Sequence, residues 1–381
     1  MKELQDLITA YEAVTRSGRK ACLATVVNTS GSTYRRPGAH MLIPDNGPAV
    51  GTISGGCLEN DLVEKAKGVM RSEVPTLVTY DSTSPDDIVL GLGLGCAGVV
   101  HVLLERLPRK NGLDPLEALS QCLQHRGGAV ASVYMVSGDL SGQLGARYVL
   151  RADNTTACDL SDTDLIARIH KDCLVLLPTG RSSSMSYPMP KGVAEVFIEL
   201  VRPPLSLIIC GAGPDAVPLV RFAKELGWRV TIIDNRTAFL NREWFSLADQ
   251  RLFSQPGQVA DQVLLTSDDV VVIMTHNYSH DFQLLRGLLS SPVRYIGLLG
   301  PRSKAGNLLQ HLCDEGFTPT EEQLARLFNP VGLDIGAETP EEIALAIVAE
   351  IKAAVTGHAG GLLRSRPGPI HNNLPHDARR V

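Results

Sequence analysis

Apolar and polar positions along the chain change period several times, and each change marks an element. The opening MKELQDLITAYEAV sets apolar residues three and four apart among charged ones, which predicts an amphipathic helix, not a signal peptide. ACLATVVNT is a short, apolar, β-branched run and predicts a strand over 21–29. SGSTYRRPGA breaks it, and HMLIP and AVGTIS follow, separated by an Asp-Asn-Gly turn that predicts a hairpin. Leu58, Leu62, Ala66 and Val69 then recur at helical spacing, with Gly56 as N-cap and Glu59 at the third helical position, so Cys57 is expected in the first turn. VVHVLL reads as a strand, the pattern weakens over 150–191, and PTGRSSSMSYPMPKG reads as a surface loop. GVAEVFIELV closes the first region as a strand, and RPP at 202–204 marks a boundary.

Beyond it, LSLIICGAGPDAVPLVRFAKELGWRVTIIDNR reads as a strand, a glycine turn, a helix ended at Gly227 and a second strand. DVVVIMTHNYSHD and YIGLLGPRSK continue the alternation, and Thr339, Pro340 and Glu342 open a last helix with a capping box. The fold class expected is α/β: an N-terminal mixed α+β domain over residues 1–202, then a Rossmann-like doubly wound parallel sheet over 203–381 with a loop-like tail.

Composition narrows the partners. Of 381 residues 44% are hydrophobic and 20% charged, and the net charge of −5 argues against a nucleic-acid or anionic-membrane surface. No apolar run reaches the roughly 18 residues of a membrane span, so a cytoplasmic protein is expected. The eight cysteines form no Cys-x-x-Cys pair, which speaks against structural zinc or a redox dithiol. Cys22 and Cys210 sit in apolar strands and are expected to be buried filler.

Cys57 and Cys96 differ, because each borders a glycine-rich loop. In a first helical turn, unpaired N–H groups and the helix dipole favour an anion, so Cys57 either displays a thiolate behind Gly55 and Gly56 or packs beneath a tight turn. Cys96 follows Gly91, Gly93 and Gly95, where backbone can approach a bulky ligand. Arg35 and Arg36 add guanidinium forks suited to phosphate. Together these loops predict a pocket for a phosphorylated organic ligand with a soft, thiophilic centre. In the second region Gly211, Gly213 and Asp234 fit the dinucleotide fingerprint, which makes NAD(P) a second cofactor to consider, although Pro214 removes an N–H and Asp215 adds an opposing charge. His276, Arg302 and Lys304 are expected off the carboxyl ends of the sheet, the first as an acid/base or ligand and the other two as an anion site.

GSTYRRPGAHMLI, GTISGGCLENDL, GLGLGCAGVV, the GAGPDAVPLVRF turn, YIGLLGPRSK and GLDIGAETPEEIA together resemble the XdhC/CoxI family of xanthine dehydrogenase accessory proteins. The resemblance runs in order over most of the chain, while 107–193 carries no motif. It implies a chaperone, not a turnover enzyme. Such a protein binds molybdenum cofactor as cargo, supports its sulfuration with a cysteine desulfurase and delivers it to a molybdenum hydroxylase client. A homodimer is left open. By this resemblance Cys57, with Cys96 second, is the sulfur expected at the metal; Pro214 departs from the family, whose members carry a histidine there.

Overall fold

The computed structural model describes residues 1–82, 98–137, 143–190, 192–241 and 243–365. The chain divides into two compact units, Met1–Pro203 and Pro204–Val381.

The first unit runs α1 (Lys2–Arg16), β1 (Ala21–Gly31), β2 (His40–Pro44), β3 (Val50–Gly51), α2 (Glu59–Ser72), β4 (Thr76–Asp81) and β5 (Gly98–Leu107), then α3 (Pro115–Gln124), β6 (Gly128–Val136), β7 (Arg147–Arg151), β8 (Thr156–Cys158), α4 (Thr163–Leu176), β9 (Ser183–Met189) and β10 (Gly192–Val201). The second seven elements repeat the first seven. Both antiparallel sheets share one order, β3-β2-β1-β5-β4 and β8-β7-β6-β10-β9. The correspondence extends to single hydrogen bonds: Gly38 N donates to Val26 O and Val26 N to Ala39 O (2.8 and 2.9 Å), and Gly145, Val133 and Ala146 repeat both at the same lengths. Each central strand carries a bulge at the matching residue, Val27 and Tyr134.

Alternate residues of β1 enter different clusters. Cys22, Ala24 and Val26 pack on α2, whereas Ala21 and Leu23 join α1 and α3. In β6, Ala129, Ala131 and Val133 pack with α4 and Val130 faces the other repeat. Burial on both faces is why neither strand alternates apolar with polar. Val27, Leu103, Tyr134 and Phe197 join the inner faces of the two sheets. Here lie two reciprocal ion pairs: Glu105 of the first repeat with Arg147 of the second, and Glu199 of the second with His40 of the first at 2.8 Å. Glu105 and Glu199 occupy equivalent positions, as do His40 and Arg147.

The loop expected over the serine-rich stretch is the strand β9 instead. Met185, Tyr187 and Met189 pack inward, and as an edge strand it tolerates Pro188. Helix α4, capped by Asp162 on Leu165 N, also lies in the stretch where the pattern weakens.

The second unit contains β11 (Ser206–Cys210), α5 (Ala216–Glu225), β12 (Arg229–Asp234), α6 (Thr237–Leu240), β13 (Gln250–Phe253), α7 (Val259–Gln262), β14 (Asp269–Ile273), α8 (Tyr278–Ser290), β15 (Tyr295–Leu298), α9 (Arg302–Asp314), α10 (Glu321–Ala325), β16 (Leu327–Phe328) and α11 (Pro340–Thr356). Its parallel sheet has the order β13-β12-β11-β14-β15-β16, the doubly wound arrangement the sequence predicts. Leu207 and Ile209 face α5 and α11, while Ile208 and Cys210 face α8 and α9. Strand order reverses between β11 and β14, which places a crevice at their carboxyl ends. Among the described residues no helix is long and apolar enough to cross a membrane.

Candidate functional site

In the first unit, loop 52–58 is built around Glu59. Its carboxylate accepts backbone N–H bonds from Ile53, Ser54, Gly55, Gly56 and Leu58 at 2.8–3.2 Å and hydroxyl bonds from Thr52 (2.7 Å) and Ser54 (2.5 Å). Burial works to raise the Glu59 carboxyl, but the bonds from Ser54 and Thr52 outweigh it and hold the group well below the usual carboxylate range. Ile53 and Leu58, both buried, pin the loop ends into the core, and Cys57 between them is exposed. Cys57 does not sit in the first turn as the spacing predicts. Helix α2 starts at Glu59 with Leu58 as its N-cap, and the amides expected to serve a thiolate serve Glu59. A motif that reads as a capping box is a nest closed by its own acid.

Loop 32–38 lies against this one. A Cβ built on Gly55, whose φ is +81°, would stand 3.0 Å from the exposed Tyr34 ring, so the approach needs glycine. Arg35 is turned to Glu3 on α1 at 2.5 Å, while Arg36 is exposed. Gly98 fits between Ser30, Ser32 and Thr33, where a Cβ would come within 2.9 Å of each, and its N–H donates to Ser82 Oγ at 3.0 Å. Cys96 and Gly95 lie outside the described residues. Gly55, Gly56 and Cys57 therefore share one surface with Tyr34. Burial pushes the thiols of Cys22, Cys173 and Cys210 up to about 12 and that of Cys122 up to about 11, which suits the role of filler. Among the described residues no group of three or more His, Cys, Asp or Glu is placed to hold a metal ion. The loop thus offers one sulfur, not a full ligand set.

In the second unit a small, partly open pocket lies at the switch point, lined by Gly211, Asp234, Arg236, Ser254, Thr275 and His280 among others. Asp234 faces the glycine turn as its offset predicts, accepting from Ala212 N at 2.7 Å. Arg236 also grips it, with N, Nε and Nη2 at 2.8–2.9 Å, and its guanidinium lies 4.0 Å from the centre of the Phe239 ring. Burial would raise Asp234; the Arg236 bonds bring its carboxyl below the ordinary value. His276 Nε2 meets Asp215 Oδ2 at 2.6 Å. Lys304, expected with Arg302 at an anion site, makes an internal contact. It curls over Gly300 to pair with fully buried Asp281, which Thr275 Oγ1 also bonds at 2.5 Å, while Arg302 remains exposed. Asp281 stands 23 positions before Lys304, a pairing that spacing does not reveal.

Comparison with known proteins matches residues 207–351 to the XdhC Rossmann domain and residues 14–81 to the XdhC and CoxI family. A Bacillus subtilis protein named as a probable xanthine dehydrogenase subunit is 34% identical over 343 residues, 90% of this chain and 96% of the relative. The Escherichia coli molybdenum cofactor insertion chaperone PaoD is 25% identical over 343 residues, 90% of this chain and 85% of its own. A Bacillus halodurans crystal structure described as a xanthine dehydrogenase superposes with a TM-score of 0.74 at 30% identity, covering 94% of this chain and 98% of the other. With that identity sustained along nearly the whole of the Bacillus subtilis relative, the chain belongs to the XdhC and CoxI family.

Proposed function

We propose that this chain is a molybdenum cofactor chaperone. It takes the cofactor as cargo, supports its sulfuration by a cysteine desulfurase and passes it to a molybdenum hydroxylase of the xanthine dehydrogenase type. The observation that carries the reading is the loop around Glu59, which holds Cys57 exposed between two buried anchors. A metal already bound by an organic dithiolene needs few further ligands, and a single soft sulfur suits it, the thiol proton leaving on binding. Arg36, exposed on the adjoining loop, would meet the phosphate of the pterin. Cys96 is the second proposed sulfur.

The test is retention of molybdenum cofactor on ultrafiltration by the wild type, Cys57→Ser and Cys22→Ser, with thermal melts on each. Serine keeps the size and replaces a soft donor by a hard one, so Cys57→Ser should lose cofactor while melting normally. Cys22→Ser should do the reverse, losing about 1–3 kcal/mol of stability through a buried, unpaired hydroxyl. Equal retention by wild type and Cys57→Ser would remove Cys57 from the site.

A further inference from the structure

We infer that Asp215 closes the glycine turn of the second unit to diphosphates, so that the Rossmann-like sheet takes no dinucleotide while this carboxylate is in place. Dinucleotide sheets hold the pyrophosphate over the glycine turn, on free backbone N–H groups at the start of the following helix. Here that place is filled from within. A Cβ built on Gly213 would lie 2.5 Å from Asp215 Oδ1, so the carboxylate sits directly against the turn. Its other oxygen is held by His276 Nε2 at 2.6 Å. His276 adopts a φ of +56°, a left-handed conformation unfavourable to a residue with a side chain, at the point where its ring reaches Asp215. Oδ1 is buried and has no hydrogen-bond partner among the described residues, so no donor offsets its charge where it lies against Gly213.

The amides of the turn support the same conclusion. Gly211 N donates to Ile233 O at 2.8 Å, Ala212 N to Asp234, and Ala216 N to Gly213 O at 3.1 Å. Pro214 has no N–H. Among the described residues 211–216, that leaves the N–H groups of Gly213 and Asp215 for a ligand, and both lie beside the carboxylate. Asp234, the acidic residue of the fingerprint, which in dinucleotide sheets bonds the ribose, is meanwhile bound by Arg236 and Ala212. A second anion brought against Asp215 meets like-charge repulsion and few donors.

The experiment titrates NADH, ADP-ribose and adenosine into the full-length protein and into Asp215→Ala and Asp215→Asn, by NADH fluorescence and calorimetry, with thermal melts on all three proteins. The wild type should show no saturable binding of NADH or ADP-ribose below about 1 mM. Both variants should gain about tenfold or more for these two ligands, with adenosine unchanged because it carries no phosphate. Asparagine keeps the shape of the side chain and removes only its charge, so it reports even where alanine loosens the turn. Micromolar NADH binding by the wild type would overturn the inference. So would a folded Asp215→Asn that binds no better than the wild type, or an equal gain for adenosine.

Discussion

The pair Glu105–Arg147 gives the sharpest energetic test of how the two repeats hold together. Both side chains are 1% exposed. Arg147 also donates to Leu113 O (3.1 Å) and Gly145 O (2.7 Å). Arg147→Met leaves the buried Glu105 carboxylate with Arg109, 3.5 Å from its other oxygen, as remaining counter-charge, so the loss should be about 3 kcal/mol, the low end for a broken buried pair. Gly145 O keeps a donor in Arg109, so Leu113 O is the carbonyl left bare, adding about 1 kcal/mol. The sum is about 4 kcal/mol, a large part of the stability of an ordinary protein. Replacing both partners, Glu105→Leu with Arg147→Met, removes the buried carboxylate and leaves Arg109 its bond to Gly145 O, so the double variant should cost only about 1–2 kcal/mol, about 2 kcal/mol less than Arg147→Met alone. Urea unfolding of the single and double variants, followed by far-ultraviolet ellipticity, measures each value. A loss below about 1 kcal/mol for Arg147→Met, or a double variant equal to the sum of the singles, would refute the role assigned to the pair.

The equivalent pair adds a pH dependence. Burial works to lower His40, but the charge and hydrogen bond of Glu199 outweigh it and raise the imidazole above its ordinary value; Thr25 bonds the other ring nitrogen at 3.1 Å, and Glu3 and Arg35 act from nearby with opposite signs. A raised folded value means that this stability is fully present below about pH 6.5 and is lost as pH rises through the folded value. The melting temperature should therefore fall on that rise in the wild type, and a fall of the same size in His40→Gln would exclude the pair as its cause. Lys304→Met should destabilise the second unit by about 3 kcal/mol by leaving Asp281 unpaired, and adding Asp281→Asn should recover part of it in thermal melts; no recovery would point to lost packing instead. Gly55→Ala should cost about 1–2 kcal/mol at its positive φ even when Tyr34→Ala clears the ring, a loss readable by melting, and full rescue by Tyr34→Ala would show that the ring alone matters.

The second unit is legible in the sequence because its signals are local. Glycine turn, strand ends and the capping box at Thr339 each declare themselves within a few residues. The duplication in the first unit stays hidden because what it preserves is hydrogen-bond geometry, with few identities. Gly38–Ala39 matches Gly145–Ala146 and Glu105 matches Glu199, but Val27 answers to Tyr134 and His40 to Arg147. The serines of β9 suggest a loop because edge-strand pairing depends on a neighbour that spacing cannot supply. Glu59 conceals its role for a related reason. Its place in a capping-box pattern is visible in the sequence, whereas the five amides converging on it follow from how the chain folds back between Ile53 and Leu58.

The reciprocal ion pairs also bear on how the chain is made. His40 is separated from Glu199 by 159 positions and Glu105 from Arg147 by 42. At a synthesis rate of about 5–20 residues per second, His40 waits roughly 8–30 s for its partner to be translated. Through that interval the first repeat carries an imidazole without its carboxylate, and for the 42 positions after Glu105 a carboxylate without Arg147, beside the apolar face that Tyr134 and Phe197 will cover. Such a nascent repeat is the kind of chain that holding factors on the ribosome recognise. The loop ending at Gly38, against which the Cys57 loop lies, packs towards Phe197 and Glu199, so this surface reaches its final setting only after the second repeat has been synthesised.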